Sequence, residues 1–323
     1  MLENKIILLT GGTGSFGQKF TEIALTHNPK TIRIYSRGEL LQQEMSVKFN
    51  EYSNIRFFVG DIRDKDRLSR AMTGVDIVIH AAALKQVPAC EYNPIEAVKT
   101  NIDGAINIID CAINNKVEKV IGISSDKAVH PVNLYGMTKA VMEKLFIQGN
   151  VYAKKQTKFS CVRYGNVVGS RGSVIPIFQE QAKTGKITIT HLDMTRFWIT
   201  LEQGVNFAIN CLSAMKGGEI FVPKIPSMKL IDLADAIAPN CDRVISGIRP
   251  GEKIHETLIS EDEARRTREY EDCFIIQPEF PFWTENTFED TTGKKILTRY
   301  SSDNNSQWLT KKQLEKIVEG VKE

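Results

Sequence analysis

Apolar residues come in short unbroken runs through the first half of the chain, separated by polar-studded stretches with helical spacing. The runs predict strands over residues 5–10, 31–35, 55–59, 76–80, 120–124 and 159–163. The stretches between them predict helices over 16–26, 64–72, 101–114 and 136–147. Runs without polar alternation fit strands buried on both faces. Alternating strands and helices imply a parallel, doubly wound α/β sheet with right-handed crossovers. After Asn166 the rhythm breaks: glycine and proline fall irregularly, as at Gly169, Gly172, Pro223 and Pro226, and helices lack regular strand partners. That change predicts a smaller, mixed α/β second domain leaning on the carboxyl edge of the sheet. The chain closes on Thr310-x-x-Gln313, a capping box opening a last helix that runs to about Lys322.

Composition narrows function more than fold. With 42% hydrophobic and 25% charged residues, the 323-residue chain has ample material for one large core or two moderate ones. A net charge of +3, from 42 basic and 39 acidic residues, gives no reason to expect nucleic acid or an acidic lipid surface as partner. The six cysteines (Cys90, Cys111, Cys161, Cys211, Cys241, Cys273) are far apart and do not cluster with histidine, so no metal site is expected and a reducing cytoplasm is. No apolar run approaches the roughly 20 residues that span a bilayer. The N-terminus reads directly as a strand, so a soluble protein is expected.

Between the first strand and first helix stands Thr10-Gly11-Gly12-Thr13-Gly14-Ser15-Phe16-Gly17, which fits Gly-x-Gly-x-x-Gly at 12, 14 and 17. Glycines allow the turn and let the backbone approach a pyrophosphate, which the helix N-terminus attracts through free N–H groups and its dipole. Gly11, Thr13, Gly14, Ser15, Phe16 and Gly17 are therefore the candidate phosphate cradle of a Rossmann-like dinucleotide site. The second strand ends Tyr35-Ser36-Arg37, without the carboxylate that would hold an NAD ribose. A hydroxyl and a guanidinium suit a 2′-phosphate, so NADP is the expected cofactor. Glu39, close by, weakens that field. Asp61 and Ile62, after the third strand, fit an adenine contact or a strand-end Asx turn. Ala81 and Ala82, after the fourth, leave room for the cofactor or simply pack.

The chemistry concentrates in residues 120–139. A strand ends in Ser125-Asp126-Lys127, and a helix follows with Tyr135-x-x-x-Lys139, a phenol and an amine on one face. An ammonium and the cofactor's positive ring would lower the tyrosine pKa, so that it can take a proton from a hydroxyl. Asp126 and Lys127 add an acid and a base, which suits elimination as well as oxidation; otherwise they are a turn former and a solvent lysine.

The tyrosine–lysine pair with an upstream Ser125 resembles the catalytic set of extended short-chain dehydrogenases/reductases. Five segments are similar to the UDP-N-acetylglucosamine 4,6-dehydratases, above all the inverting, soluble type that begins pseudaminic acid synthesis. They are Ser-Ser-Asp-Lys-Ala, Asn-Leu-Tyr-Gly-Met-Thr-Lys, and the stretches 163–173, 194–200 and 247–253. Membrane-anchored relatives that retain configuration typically carry methionine where this chain has Tyr135. The resemblance implies that Tyr135 takes the 4-hydroxyl proton, Lys127 removes the C5 proton, Asp126 protonates the departing C6 hydroxyl, and C5 is reprotonated from the opposite face. It extends the cofactor contacts to Lys85, Tyr135, Lys139 and Val167. It assigns the UDP-sugar to Lys85, Lys127, Asn166, Arg249 and Glu252, and implies a homo-oligomer.

The expected division is residues 1–168, plus returning segments within about 196–222, for NADP, and 169–195 with 223–323 for the UDP-sugar. Two other functions are open on this scaffold: a UDP-hexose 4-epimerase or reductase, against which Asp126-Lys127 argues, and a non-catalytic dinucleotide sensor, which would not need Tyr135 and Lys139.

Overall fold

The structure is a computed structural model and describes residues 1–169, 174–283 and 292–320. The first half builds β1 Ile6–Thr10, α1 Ser15–Leu25, β2 Thr31–Ser36, α2 Glu39–Lys48, β3 Ile55–Val59, α3 Lys65–Met72 and β4 Ile77–His80. Short helices α4 Val87–Tyr92 and α5 Pro94–Val98 follow, each with a proline in its first turn, where the missing N–H costs nothing. Then come a π turn at Lys99–Asp103, α6 Gly104–Asn114, β5 Lys119–Ile123, α7 Leu134–Tyr152 and β6 Lys158–Val162. All six predicted strands are present, shifted by a residue or so. Helix α2 was not predicted: Leu40 and Val47 face solvent while Gln42 and Met45 are buried, so its apolar periodicity is faint.

The returning half supplies β7 Asn166–Val167, α8 Val174–Ala182, β8 Lys186–Ile189, β9 Thr195–Ile199, α9 Leu201–Ala214, β10 Ile220–Pro223 and β11 Ser227–Lys229. It continues with α10 Leu230–Ile237, β12 Asp242–Ile245, β13 Thr257–Ile259, α11 Glu261–Ala264, β14 Thr267–Glu269, β15 Cys273–Ile276, β16 Lys294–Lys295, β17 Tyr300–Ser301 and α12 Lys311–Gly320. The capping box is made, with Thr310 N donating to Gln313 Oε1 at 2.9 Å. The expected continuation of this helix to about Lys322 lies outside the described residues.

Among the described residues ten strands form one sheet, in the order β16-β14-β15-β10-β6-β5-β4-β1-β2-β3. From β3 to β10 all neighbours run parallel, and β15, β14 and β16 add an antiparallel edge. The strand order reverses at β1, whose neighbours are β2 and β4. A doubly wound sheet opens its ligand crevice at the carboxyl ends of the strands flanking such a switch. Strands β1 and β4 are sealed by apolar residues on both faces, which explains their unbroken apolar sequence.

A second, smaller core gathers Val168, Ile175, Phe178, Ile187, Trp198 and Leu233 with neighbouring apolar groups, and Leu314 of α12 closes it. Within the expected second unit of 169–195 and 223–323, Leu258, Ile259, Phe274 and Ile276 pack into the main core. The tie is ionic as well as apolar. Arg163, buried at the end of β6, makes paired bonds to Glu143 of α7 (2.9 and 2.6 Å) and to Glu263 of α11 (3.0 and 2.9 Å). It also donates to the carbonyl of Leu258 at 2.8 Å.

Candidate active site

A cavity of about 930 Å³ runs along the carboxyl ends of the parallel strands and on under the smaller core. Gly14 caps α1 without any side-chain hydrogen bond, leaving first-turn N–H groups for an anion. A Cβ on Gly17 would stand 2.3 Å from the Gly12 carbonyl oxygen, so only glycine lets the helix start this close to the strand. Such a cradle fits a dinucleotide pyrophosphate. Thr13, Gly14, Ser15 and Phe16 line it, Gly11 and Ala81-Ala82 wall it, and Gly17 lies behind.

Ser36, Arg37, Asp61 and Ile62 line the far arm of the cavity. Ser36 Oγ accepts a bond from the buried Gln42 at 3.0 Å, which leaves its own O–H to donate toward a ligand. Arg37 is more committed than its sequence suggests, with its guanidinium 3.9 Å from Asp61. Burial would raise the Asp61 carboxyl, but bonds from Arg63 and the charges of Arg63 and Arg37 hold it below the usual carboxylate range.

The acid, the base and the phenol meet at the centre. After β5 the chain makes a single 3₁₀ turn over Asp126–Ala128, capped by Ser125, whose Oγ accepts from Lys127 N at 3.2 Å. Helix α7 starts directly against this turn, with Asn133 as its cap. A Cβ on Gly136 would lie 2.1 Å from the Lys127 carbonyl oxygen, so the glycine after Tyr135 permits the contact. Asp126 is 1% exposed. Its Oδ1 accepts from Ser125 Oγ at 2.8 Å and from Lys127 Nζ at 3.3 Å, while Oδ2 is buried with no hydrogen-bond partner.

Burial by itself would lower the Lys127 amine, but the carboxylates of Asp126 and Glu256 outweigh it and raise it. Burial pushes the Tyr135 phenol up to about 12, against the Lys127 charge and a bond with Ser125. The Lys127 ammonium therefore acts on Tyr135. Lys139, the expected partner, is buried with Nζ 3.1 Å from Met142 Sδ, and burial lowers it to about 8.

Lys85, Asn166, Val167, Arg249 and Glu252 also line the cavity. Residues 170–173 of the quoted stretch 163–173 lie outside the described residues. Sequence reading missed Glu256, buried beside Lys127, and Arg196, on the fully buried strand β9. An arginine inside a short apolar strand was the available signal for Arg196; Glu256 had none. Among the described residues no group of histidine, cysteine and carboxylate side chains could hold a metal ion. No helix among them is long and apolar enough to cross a membrane.

The chain is similar to known proteins in sequence and in fold. A family profile described as "Polysaccharide biosynthesis protein" matches residues 7–278. The inverting UDP-N-acetylglucosamine 4,6-dehydratase of Campylobacter jejuni subsp. jejuni serotype O:2 is 51% identical, over 98% of each chain. A UDP-glucose 4-epimerase of Rickettsia canadensis is 43% identical, over 85% of this chain and 84% of its own. The X-ray structure of Pen from Bacillus thuringiensis superposes with a TM-score of 0.90 at 40% identity, covering 99% of this chain and 98% of that one.

Proposed function

The chain belongs to the polysaccharide biosynthesis protein family, and on that premise we propose that it is a UDP-N-acetylglucosamine 4,6-dehydratase that inverts C5, with NADP as its resident cofactor. The observation that carries this reading is the Asp126–Lys127 pair, a buried acid and a half-buried amine 3.3 Å apart beside Tyr135. A hydride acceptor at C4 and a hydride donor at C6 are what bound NADP supplies. Thr13 to Phe16 would hold its pyrophosphate, Ser36 and Arg37 its 2′-phosphate, and Tyr135 with Lys139 the nicotinamide end.

The protein's own part is proton traffic, and it balances. In the resting pair one proton sits on Lys127, facing the Asp126 carboxylate. Its transfer across 3.3 Å leaves a neutral amine and a protonated carboxyl, the base and acid that elimination needs together. Lys127 takes the C5 proton, acidified by the 4-keto group, while Asp126 gives its proton to the departing C6 hydroxyl, which leaves as water. The pair is then back in its resting form. Tyr135 takes the 4-hydroxyl proton and returns it to C5 from the opposite face, so it too ends as it began.

The product follows as UDP-2-acetamido-2,6-dideoxy-β-L-arabino-hex-4-ulose, suited to entry into pseudaminic acid synthesis for flagellin or surface glycosylation. A cytoplasmic homo-oligomer is the matching cellular form. A 4-epimerase is the second reading, since a relative of that name is 43% identical. The product separates the two. NMR of a reaction with UDP-N-acetylglucosamine deuterated at C4, run in D2O, should show the C4 label at C6 and solvent deuterium at C5, in the L-arabino configuration. A UDP-N-acetylgalactosamine product, or loss of the C4 label to bulk, removes the dehydratase reading. A D-xylo product formed first removes the inversion.

A further inference from the structure

Glu256 stands 129 residues from Lys127 in sequence, yet its Oε1 lies 3.5 Å from the Lys127 amine. The carboxylate is 4% exposed and is shared among cations: Oε1 is 3.9 Å from Arg196 Nε, and Oε2 is 3.8 Å from Lys253 Nζ. Oε2 has no hydrogen-bond partner, so it is not held there by ordinary structural bonding. Its backbone is fixed instead: Glu256 N donates to Ser302 Oγ at 2.9 Å, Ser302 N donates back to the Glu256 carbonyl at 2.8 Å, and Ser302 Oγ bonds Thr195 Oγ1 at 2.6 Å. Three returning segments therefore cooperate to put one buried negative charge beside the amine.

Resting on the dehydratase reading, we propose that Glu256 is the positioning residue that keeps one proton on the Asp126–Lys127 pair and holds the Lys127 amine toward the cavity. The charge count gives the reason. Within 4 Å, two carboxylates, Asp126 and Glu256, share three cations, Lys127, Arg196 and Lys253. Neutralising Glu256 would leave three cations on one carboxylate; Arg196 keeps its proton, so relief must come from the two lysines, and Lys127 stands nearer Glu256 (3.5 Å) than Lys253 does (3.8 Å). A pair without its proton keeps the base but has nothing for Asp126 to donate. The groups facing Lys127 are Asp126, Glu256, Arg196, Tyr135, Lys85 and Lys253. Among these described residues, Asp126, Glu256 and the phenolate form of Tyr135 favour its charged form, and Glu256 lies outside residues 125–139.

The test is Glu256→Gln in the holoenzyme, read in two ways. Acetylation of Lys127 by acetic anhydride, followed across pH by mass spectrometry, reports the titration of the amine without any turnover. Its midpoint should fall by about one pH unit or more in the variant, the size of effect a neighbouring charge produces. With UDP-N-acetylglucosamine in D2O, deuterium uptake at C5 should slow roughly tenfold more than oxidation at C4, with the excess loss growing toward alkaline pH. If the Gln variant does not fold, Glu256→Asp, which keeps the charge one methylene shorter, should move the midpoint in the same direction by less. An unchanged midpoint, or equal loss of C4 oxidation and C5 exchange, overturns the role of Glu256. A shifted midpoint in an enzyme whose wild type takes up no deuterium at C5 leaves that role standing and overturns the dehydratase reading instead.

Discussion

Two regions of the cavity are built on opposite plans. The phosphate cradle at 10–17 is continuous in sequence: a strand end, a turn and a helix start, with glycine where backbone approaches backbone. The seam where Asp126 and Lys127 meet Arg196, Lys253 and Glu256 is made of charged side chains from distant segments, held together by the sheet, α7 and the returning chain. The cradle tolerates no added atoms. The seam tolerates no lost charges. A motif built from local spacing is thus sensitive to shape, and a cluster of charges from distant segments to electrostatic balance.

Four changes would break or sharpen that contrast. The largest is expected at the seam: Lys127→Ala should slow elimination by roughly 10²- to 10⁴-fold, the range of a lost general base. Cofactor retention should survive, because the cradle shares no atoms with it. Product formation near the wild-type rate would take the lysine out of the mechanism. Next is the ionic tie beneath the seam. Arg163→Ala would strand the buried Glu143 carboxylate and the partly buried Glu263, and should cost about 3–5 kcal/mol of folding stability in denaturant titration. Burial would raise Glu263, but Arg163 holds it down to about 2. Its folded pKa is below its unfolded one, so its contribution is complete above the ordinary value of 4.5 and is lost as pH falls from there toward 2. That acid-sensitive stability should be absent from the variant; an identical acid profile would assign it elsewhere.

Gly17→Ala tests the cradle. The added methyl must displace the Gly12 carbonyl, at a cost of about 1–3 kcal/mol in thermal unfolding, with weaker dinucleotide binding. An unaffected melting temperature with full cofactor content would show that the loop has slack. The smallest effect concerns Arg37, which is 56% exposed and already faces Asp61. Arg37→Ala should weaken NADP by up to about tenfold, roughly 1.4 kcal/mol, and NAD by less. Equal weakening of both dinucleotides in calorimetric titration would shift selection to Ser36 and its Gln42 support.

Legibility follows the same divide. Helix α7 could be read from sequence because Asn133, Tyr135, Gly136 and Lys139 act through local spacing. The π turn at Lys99–Asp103 and the faintly periodic α2 could not, since burial there comes from neighbours distant in sequence. The charged state of Lys127 was also illegible: a lysine after a strand end can be a solvent cation or a buried base. The difference lies in a glutamate that only the folded chain brings within 3.5 Å.

By itself the sequence determined the elements whose causes are local: apolar runs for strands on both sides of the switch point, a glycine loop for the cradle, and a Ser-Asp-Lys turn followed by Tyr-x-x-x-Lys. Tertiary structure alone decided which charges face one another. Coulomb interactions depend on distance through space and on the loss of water, and neither is encoded by spacing along the chain. Placing Arg196 and Lys253 around Glu256, and Glu256 beside the Lys127 amine, took the return of the segments that carry residues 195–196, 253–256 and 302, and burial of the carboxylate then made the balance count.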